Sequence, residues 1–308
     1  MKISFLALGW RSLGRDLRAG ELRLLMVAVT LAVAALTAVG FFADRLKGGL
    51  VRDARQLMGG DAVLVSDNPV PQALAAQAEK LGLAQVQTLT FPTMARAPEA
   101  AGGNSKLVAL KAVAPGYPLR GRLRVSEQPD AAGELANDIP KPGEVWVDAP
   151  ILEVLNLPLG GQLLLGDSSF KLTRIIINEP DRGAGFMSFS PRVMVNSVDI
   201  AATGLIQPAS RVRYQLAVAG EDQPVRAFVD AAQAQIANQT LRGTRVDALE
   251  GGRPELNTTL TRAEKFLNLV ALLAALLSAV AVALAARGFA ANHLDDCAML
   301  RVLGLRQR

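Results

Sequence analysis

The 308-residue chain is 50% apolar and 20% charged, with a mean hydropathy of +0.26, above the soluble average and indicative of segments that live in lipid. Its net charge of +5 is confined to the ends, +3 over residues 1–43 and +2 over residues 287–308, so the neutral middle has no basic stripe to track a phosphate backbone, which argues against a nucleic-acid partner. One cysteine, Cys297, and one histidine, His293, exclude an internal disulfide framework and leave too few ligands for a zinc site.

In the leader, residues 1–23, the apolar positions Ile3, Leu6, Trp10, Leu13 and Leu17 alternate spacings of three and four, with Arg11, Arg15 and Arg18 mostly off that stripe. This is the pattern of an amphipathic helix, lying in the membrane interface or packing on a partner. Residues 24–43 run for 20 positions without a charge and residues 266–286 for 21, and at about 1.5 Å per residue either reaches across a hydrocarbon core of roughly 30 Å. A cleaved signal peptide is the alternative for the first run and a buried core helix for the second. The long charged leader and the complete lack of charge in the second run favour two membrane spans. Basic residues cluster beside both runs on their terminal sides, which places both ends in the cytoplasm and residues 44–265 outside the membrane.

Between the spans, residues 44–58 extend the first helix as a stalk until Gly59-Gly60 stops it. Residues 62–65 read as a buried strand, 71–81 as a helix opened by proline, and 85–96 as an alternating strand interrupted at Pro92. A strand over 105–114 follows. Another strand over 210–219, a helix over 223–239 and a short strand over 245–249 mirror the first set. Two strand-helix-strand units around an insertion predict an extracytoplasmic α+β domain, a split ferredoxin-like layer. The inserted stretch, residues 117–207, is a small β-rich subdomain with strands near 143–147, 162–165, 170–177 and 192–196 and an irregular surface segment over 131–142.

Catalytic chemistry is hard to place. Residues 44–265 contain no histidine, which removes Ser-His-Asp and Cys-His arrangements and leaves only Ser-Lys or paired-carboxylate schemes. Glu179, Asp181 and Arg182, followed by Gly183-Ala184-Gly185, could hold a cation or polar ligand. They read more simply as a solvated turn in which Asp181 bonds its own backbone and the glycines supply positive φ. No Gly-x-x-x-x-Gly-Lys phosphate loop is present, and His293 with Cys297, four apart, lack a third metal ligand. No catalytic, cofactor-binding or metal residue is assigned. Within residues 289–305, the apolar positions Leu294, Ala298, Met299, Leu300, Val302, Leu303 and Leu305 outline a short helix ended by Gly304. It carries Asp295 and Asp296 in its first turn and Arg301 in its last, charges that suit its dipole. A helix this apolar requires a partner surface.

These features together resemble the FtsX/LolC/MacB-type permeases of ABC transporters, most of all the YbbP-like branch, over essentially the whole chain. The carriers are the basic leader and first apolar run, Leu57-Met58-Gly59-Gly60-Asp61, the Gly-rich hairpin over 157–166, Glu179-Pro180-Asp181, Pro191-Arg192-Val193-Met194-Val195-Asn196 and, most specifically, Asp296-Cys297-Ala298-Met299-Leu300-Arg301-Val302-Leu303-Gly304. The resemblance implies a MacB-like periplasmic core between two transmembrane helices of a bacterial inner-membrane protein. It also implies a cytoplasmic coupling helix that contacts an ABC ATPase subunit through Asp295, Asp296, Met299, Leu300, Arg301, Leu303 and Gly304. Implied further are movement of the outer domains driven by ATP hydrolysis in that separate subunit, and lipidic or amphiphilic substrates. Membrane lipid and, for the YbbP-like branch, a periplasmic lysophospholipase or thioesterase are the other partners. Family members continue into further helices, so the chain is expected to be part of a longer permease. A two-span receptor or a membrane-anchored enzyme are the competing readings.

Overall fold

The computed structural model describes residues 21–129, 131–183, 189–208, 210–238, 241–248 and 254–292, together with 294, 298, 299 and 302. The leader's apolar stripe lies outside them. The chain divides into two compact units, residues 1–49 with 258–308 and residues 50–257.

The described residues of the first unit are helical. Helix α1 (Glu21–Met58) contains the first apolar run, and the second lies in a 39-residue helix (Pro254–Asn292). Within the latter, Leu269–Gly288 has a mean hydropathy of 2.7 and is, among the described residues, the one candidate membrane span by length and composition. Large apolar side chains point outward along both helices, among them Leu31, Phe41, Leu272 and Leu277. The hydroxyls of Thr30 and Thr37 return to the carbonyls of Met26 and Val33 at 2.7 and 2.8 Å, so neither polar group is left without a partner in an apolar stretch.

The second unit is a mixed α/β fold. Strand β1 (Ala62–Ser66), helix α2 (Gln72–Lys80) and strand β2 (Ala84–Arg96) make one strand-helix-strand unit. Strand β10 (Arg213–Ala219), helix α4 (Asp222–Ala237) and strand β11 (Thr244–Ala248) make the other. They interleave in the order β11-β1-β10-β2 with every pair antiparallel. Leu74, Ala78, Phe228 and Val229 of the two helices cover Leu64, Leu216 and Val218 on one face of the sheet, a helix stripe against alternating strand positions.

The chain between β2 and β10 adds β3 (Ser105–Val113), β4 (Arg124–Ser126), β5 (Glu134–Leu135), β6 (Glu144–Asp148), helix α3 (Ala149–Leu155), β7 (Gln162–Leu165), β8 (Ser168–Asn178) and β9 (Arg192–Asn196). These strands do not make a sheet of their own. The 13-residue β2, at about 43 Å, is long enough to serve both parts: Ala84–Thr90 pair with β10, Thr88–Arg96 with β3, and its last two residues with β7. Pairings β3–β9, β9–β6, β6–β8, β8–β7 and β7–β2 then close a ring of strands around Phe91, Leu110, Val147, Leu163, Leu172 and Val195. Closure removes most free edges.

One sequence expectation needs correction here. Pro92 does not interrupt β2, because it falls between the end of β10 pairing at Thr90 and the start of β7 pairing at Ala95, where no strand flanks β2 on that side. Proline is tolerated at such an edge. Residues 149–155, to which the sequence pattern assigned no element, form helix α3, with Pro150 in its first turn and Ile151 and Leu155 buried.

Candidate functional site

Strand β3 carries a lysine within an apolar run, Leu107-Val108-Ala109-Leu110-Lys111-Ala112-Val113, and both faces of this strand are covered from Val108 to its end. Lys111 is therefore 1% exposed, and an unpaired ammonium there would be prohibitive. Its Nζ bonds Glu179 Oε1 at 2.8 Å, Asp181 Oδ1 at 2.7 Å and the Tyr117 hydroxyl at 2.9 Å, and it sits 4.4 Å from the centre of the Tyr117 ring. The Tyr117 hydroxyl in turn donates to Asp181.

On the neighbouring strand, Arg192 is also buried. Its Nε donates to Glu179 Oε2 at 2.7 Å and its backbone N–H to Asp148 Oδ2 at 2.8 Å. Arg182 reaches the same Asp148 oxygen at 2.5 Å. Lys111, Arg182 and Arg192 thus face Asp148, Glu179 and Asp181, a charge-balanced knot pinning the turn after β8 onto the sheet.

The knot determines what these groups can do. Burial works against ionisation of Glu179, but Lys111 and Arg192 outweigh it and hold the carboxyl at about 2. Burial, followed by the charges of Asp181 and Glu179, pushes the Tyr117 hydroxyl well above its ordinary value. Neither group exchanges a proton near neutrality, so neither suits general acid–base work. This corrects the sequence reading of a solvated turn. Gly183 does take a positive φ of 77°, but Asp181 bonds Lys111 and Tyr117, and Glu179 is buried.

A second cluster lies beside the first. Asp61, directly after the Gly59-Gly60 stop of α1, is 4% exposed. It accepts from Arg120 Nε and Nη2 at 3.1 and 2.8 Å and from the Gly220 N–H at 3.0 Å, while Arg55 Nε lies 3.6 Å away. Arg55 also pairs with Asp222, in the first turn of α4, at 2.6 Å. One carboxylate therefore ties the last turn of α1 to β1, to the start of α4 and to the loop after β3.

The two clusters touch through glycines. A side chain on Gly59, whose φ is 71°, would meet Asp181 Cβ at 3.0 Å, and one on Gly121, whose φ is 87°, would lie 2.5 Å from Pro180 Cβ and 2.8 Å from the Gln56 carbonyl oxygen. Sequence reasoning singled out Gly59-Gly60-Asp61 and Glu179-Pro180-Asp181 but missed Lys111, Tyr117, Arg120 and Arg192 as their partners.

Among the residues assigned to ATPase contact, Met299 is helical and exposed, while Asp295, Asp296, Leu300, Arg301, Leu303 and Gly304 lie outside the described residues, as do His293 and Cys297. Exposed Leu294 and Val302 flank Met299. Among the described residues no group of three or more His, Cys, Asp or Glu is placed to hold a metal.

No protein-family model matches the chain. It is 33% identical over 290 residues to the ABC transporter permease YbbP of Escherichia coli (strain K12), covering 94% of this chain and 34% of that protein. The chain therefore spans about a third of the length of the curated relative it matches. Among solved structures it is similar to the extracellular domain of the noncanonic ABC-type transporter YknZ from Gram-positive bacteria (13% identity, 60% of this chain and 98% of that one, TM-score 0.37). It is also similar to the periplasmic region of MacB from Actinobacillus actinomycetemcomitans (9% identity, 64% and 92%, TM-score 0.38).

Proposed function

The chain is a relative of the ABC transporter permeases, and on that premise we propose that it forms part of a permease subunit working by mechanotransmission. A separate cytoplasmic ATPase binds the helix around Met299, and its ATP cycle displaces α1 and the helix Pro254–Asn292. The domain over residues 44–265 then moves outside the bacterial inner membrane. The single observation that carries this reading is 33% identity sustained over 290 residues.

Two features of the chain support it. Leu294, Met299 and Val302 are exposed apolar side chains beside the second apolar run, as a docking helix requires. At the other end, Arg55 and Asp61 join the last turn of α1 to β1 and α4, so a pull on those turns is felt directly by the sheet. The proposal takes the domain over 44–265 as a MacB-like periplasmic core built on a split ferredoxin-like layer. It includes lipidic or amphiphilic substrates, contact with membrane lipid, and a periplasmic lysophospholipase or thioesterase as a further partner. It gives the chain no catalytic step of its own.

The test is co-purification of an ATPase from detergent-solubilised membranes. Arg301→Glu or Leu303→Gln is expected to lower the associated ATP hydrolysis about tenfold, the effect of losing roughly 1.4 kcal/mol of contact, with membrane insertion unchanged. Undiminished association in both variants would remove the docking-helix assignment.

A further inference from the structure

Away from both charged clusters, a trough of about 880 Å³ crosses the sheet in the second unit, over the start of β10 and the stretch of β2 that lacks a neighbour on one side. Its volume lies within the range of built binding sites. Pro92 and Leu107 line its apolar part. Leu107 is 47% exposed and pairs across β2–β3 with Met94, 50% exposed, while Phe189, next to the lining residue Ser190, is 88% exposed. Exposed apolar side chains in and beside a concave place mark a contact surface.

The charge on the walls gives the sign of the occupant. Arg211 and Arg213 both line the trough, are exposed, and pair with no carboxylate among the described residues. Arg213 stands opposite Thr90 in the β10–β2 register, on the same face of β2 as Pro92 and Met94. Asp67 is the single acid on the wall. The hydroxyls give its chemistry: Thr90, Ser190 and Ser210 lie among these residues, and an alkyl chain seated over them would strip their water without returning a hydrogen bond. A polypeptide brings its own amides.

We infer that this trough docks an extended acidic peptide segment of a partner protein, one or two apolar side chains resting on Pro92, Met94 and Leu107 while flanking carboxylates meet Arg211 and Arg213. This surface does not depend on the permease assignment.

The experiment uses the whole chain in phosphatidylcholine nanodiscs, whose lipid carries no net charge. The probes are a fluorescein-labelled acetylated hexapeptide of alternating glutamate and leucine, its lysine–leucine counterpart, dodecyl phosphate and inorganic phosphate. The expected result is saturable binding of the acidic peptide at least tenfold tighter than of the lysine peptide. That preference should be lost in Arg211→Glu/Arg213→Glu, and binding should be weakened severalfold in Leu107→Asp, with thermal unfolding of the double variant unchanged because neither arginine pairs with a carboxylate among the described residues. Equal binding of the two peptides, or an unaffected double variant, overturns the inference. So does displacement of the peptide by dodecyl phosphate at lower concentration, which would give the trough to amphiphiles, or by inorganic phosphate, which would leave only a free anion.

Discussion

At the scale of single residues, the deciding fact is that Lys111 and Glu179 share a dry place. Removing one member of such a pair strands the other, at a cost of about 3–5 kcal/mol. Glu179→Gln is therefore expected to lower the unfolding midpoint in urea markedly at pH 7. Because the folded carboxyl sits at about 2 against an ordinary 4.5, its contribution is fully present above pH 4.5 and is lost as pH falls through about 2. The gap between wild type and variant should thus narrow on acidification across that window, and a gap independent of pH would show that the charge of Glu179 is not what stabilises the knot. The carboxylates were visible in the sequence as a polar turn, but their partner stands 68 residues away on β3, and no local pattern joins the two. A signal was there: a lysine inside a strand otherwise apolar on both faces has to be paired.

Whole elements were easier to read, because their periods are local. The alternation of β2, the amphipathic stripes of α2 and α4, and the glycine stop after α1 each declare themselves within a dozen residues. Strand partners do not. Nothing near Ala95 announces that β7 will pair there, and so the tolerance of Pro92 was invisible. The junction of α1 with the sheet likewise depends on close approach between segments far apart in the chain. Gly121 sits where a methyl group would fall 2.5 Å from Pro180 Cβ and 2.8 Å from the Gln56 carbonyl, whereas Gly116, with a φ of 93°, has nothing within 4 Å. Gly116→Ala should cost only the left-handed backbone term of about 1–2 kcal/mol. Gly121→Ala adds overpacking of about 1–3 kcal/mol and should unfold at clearly lower urea. Equal losses would mean that the helix end and the Pro180 turn are not packed as tightly as their geometry indicates.

For the molecule as a whole, the proposed mechanism depends on which side of the membrane each part occupies, and charge bears on that more directly than fold does. The ends are basic and the middle is neutral, and basic flanks stay in the cytoplasm during insertion, which is the ground for proposing that both ends lie inside and the sheet outside. The chain contains its own control for this arrangement. Its single cysteine, Cys297, follows the second apolar run and is assigned to the cytoplasmic side, while Ser210 is an exposed residue of the sheet-containing unit. A membrane-impermeant maleimide applied to spheroplasts should label a Ser210→Cys chain and leave wild type unmodified, and after lysis wild type should label as well. Labelling of wild type in intact spheroplasts would put Cys297 outside. A Ser210→Cys chain protected until lysis would put the sheet in the cytoplasm, where movement driven from the ATPase side would have nothing across the membrane to act on.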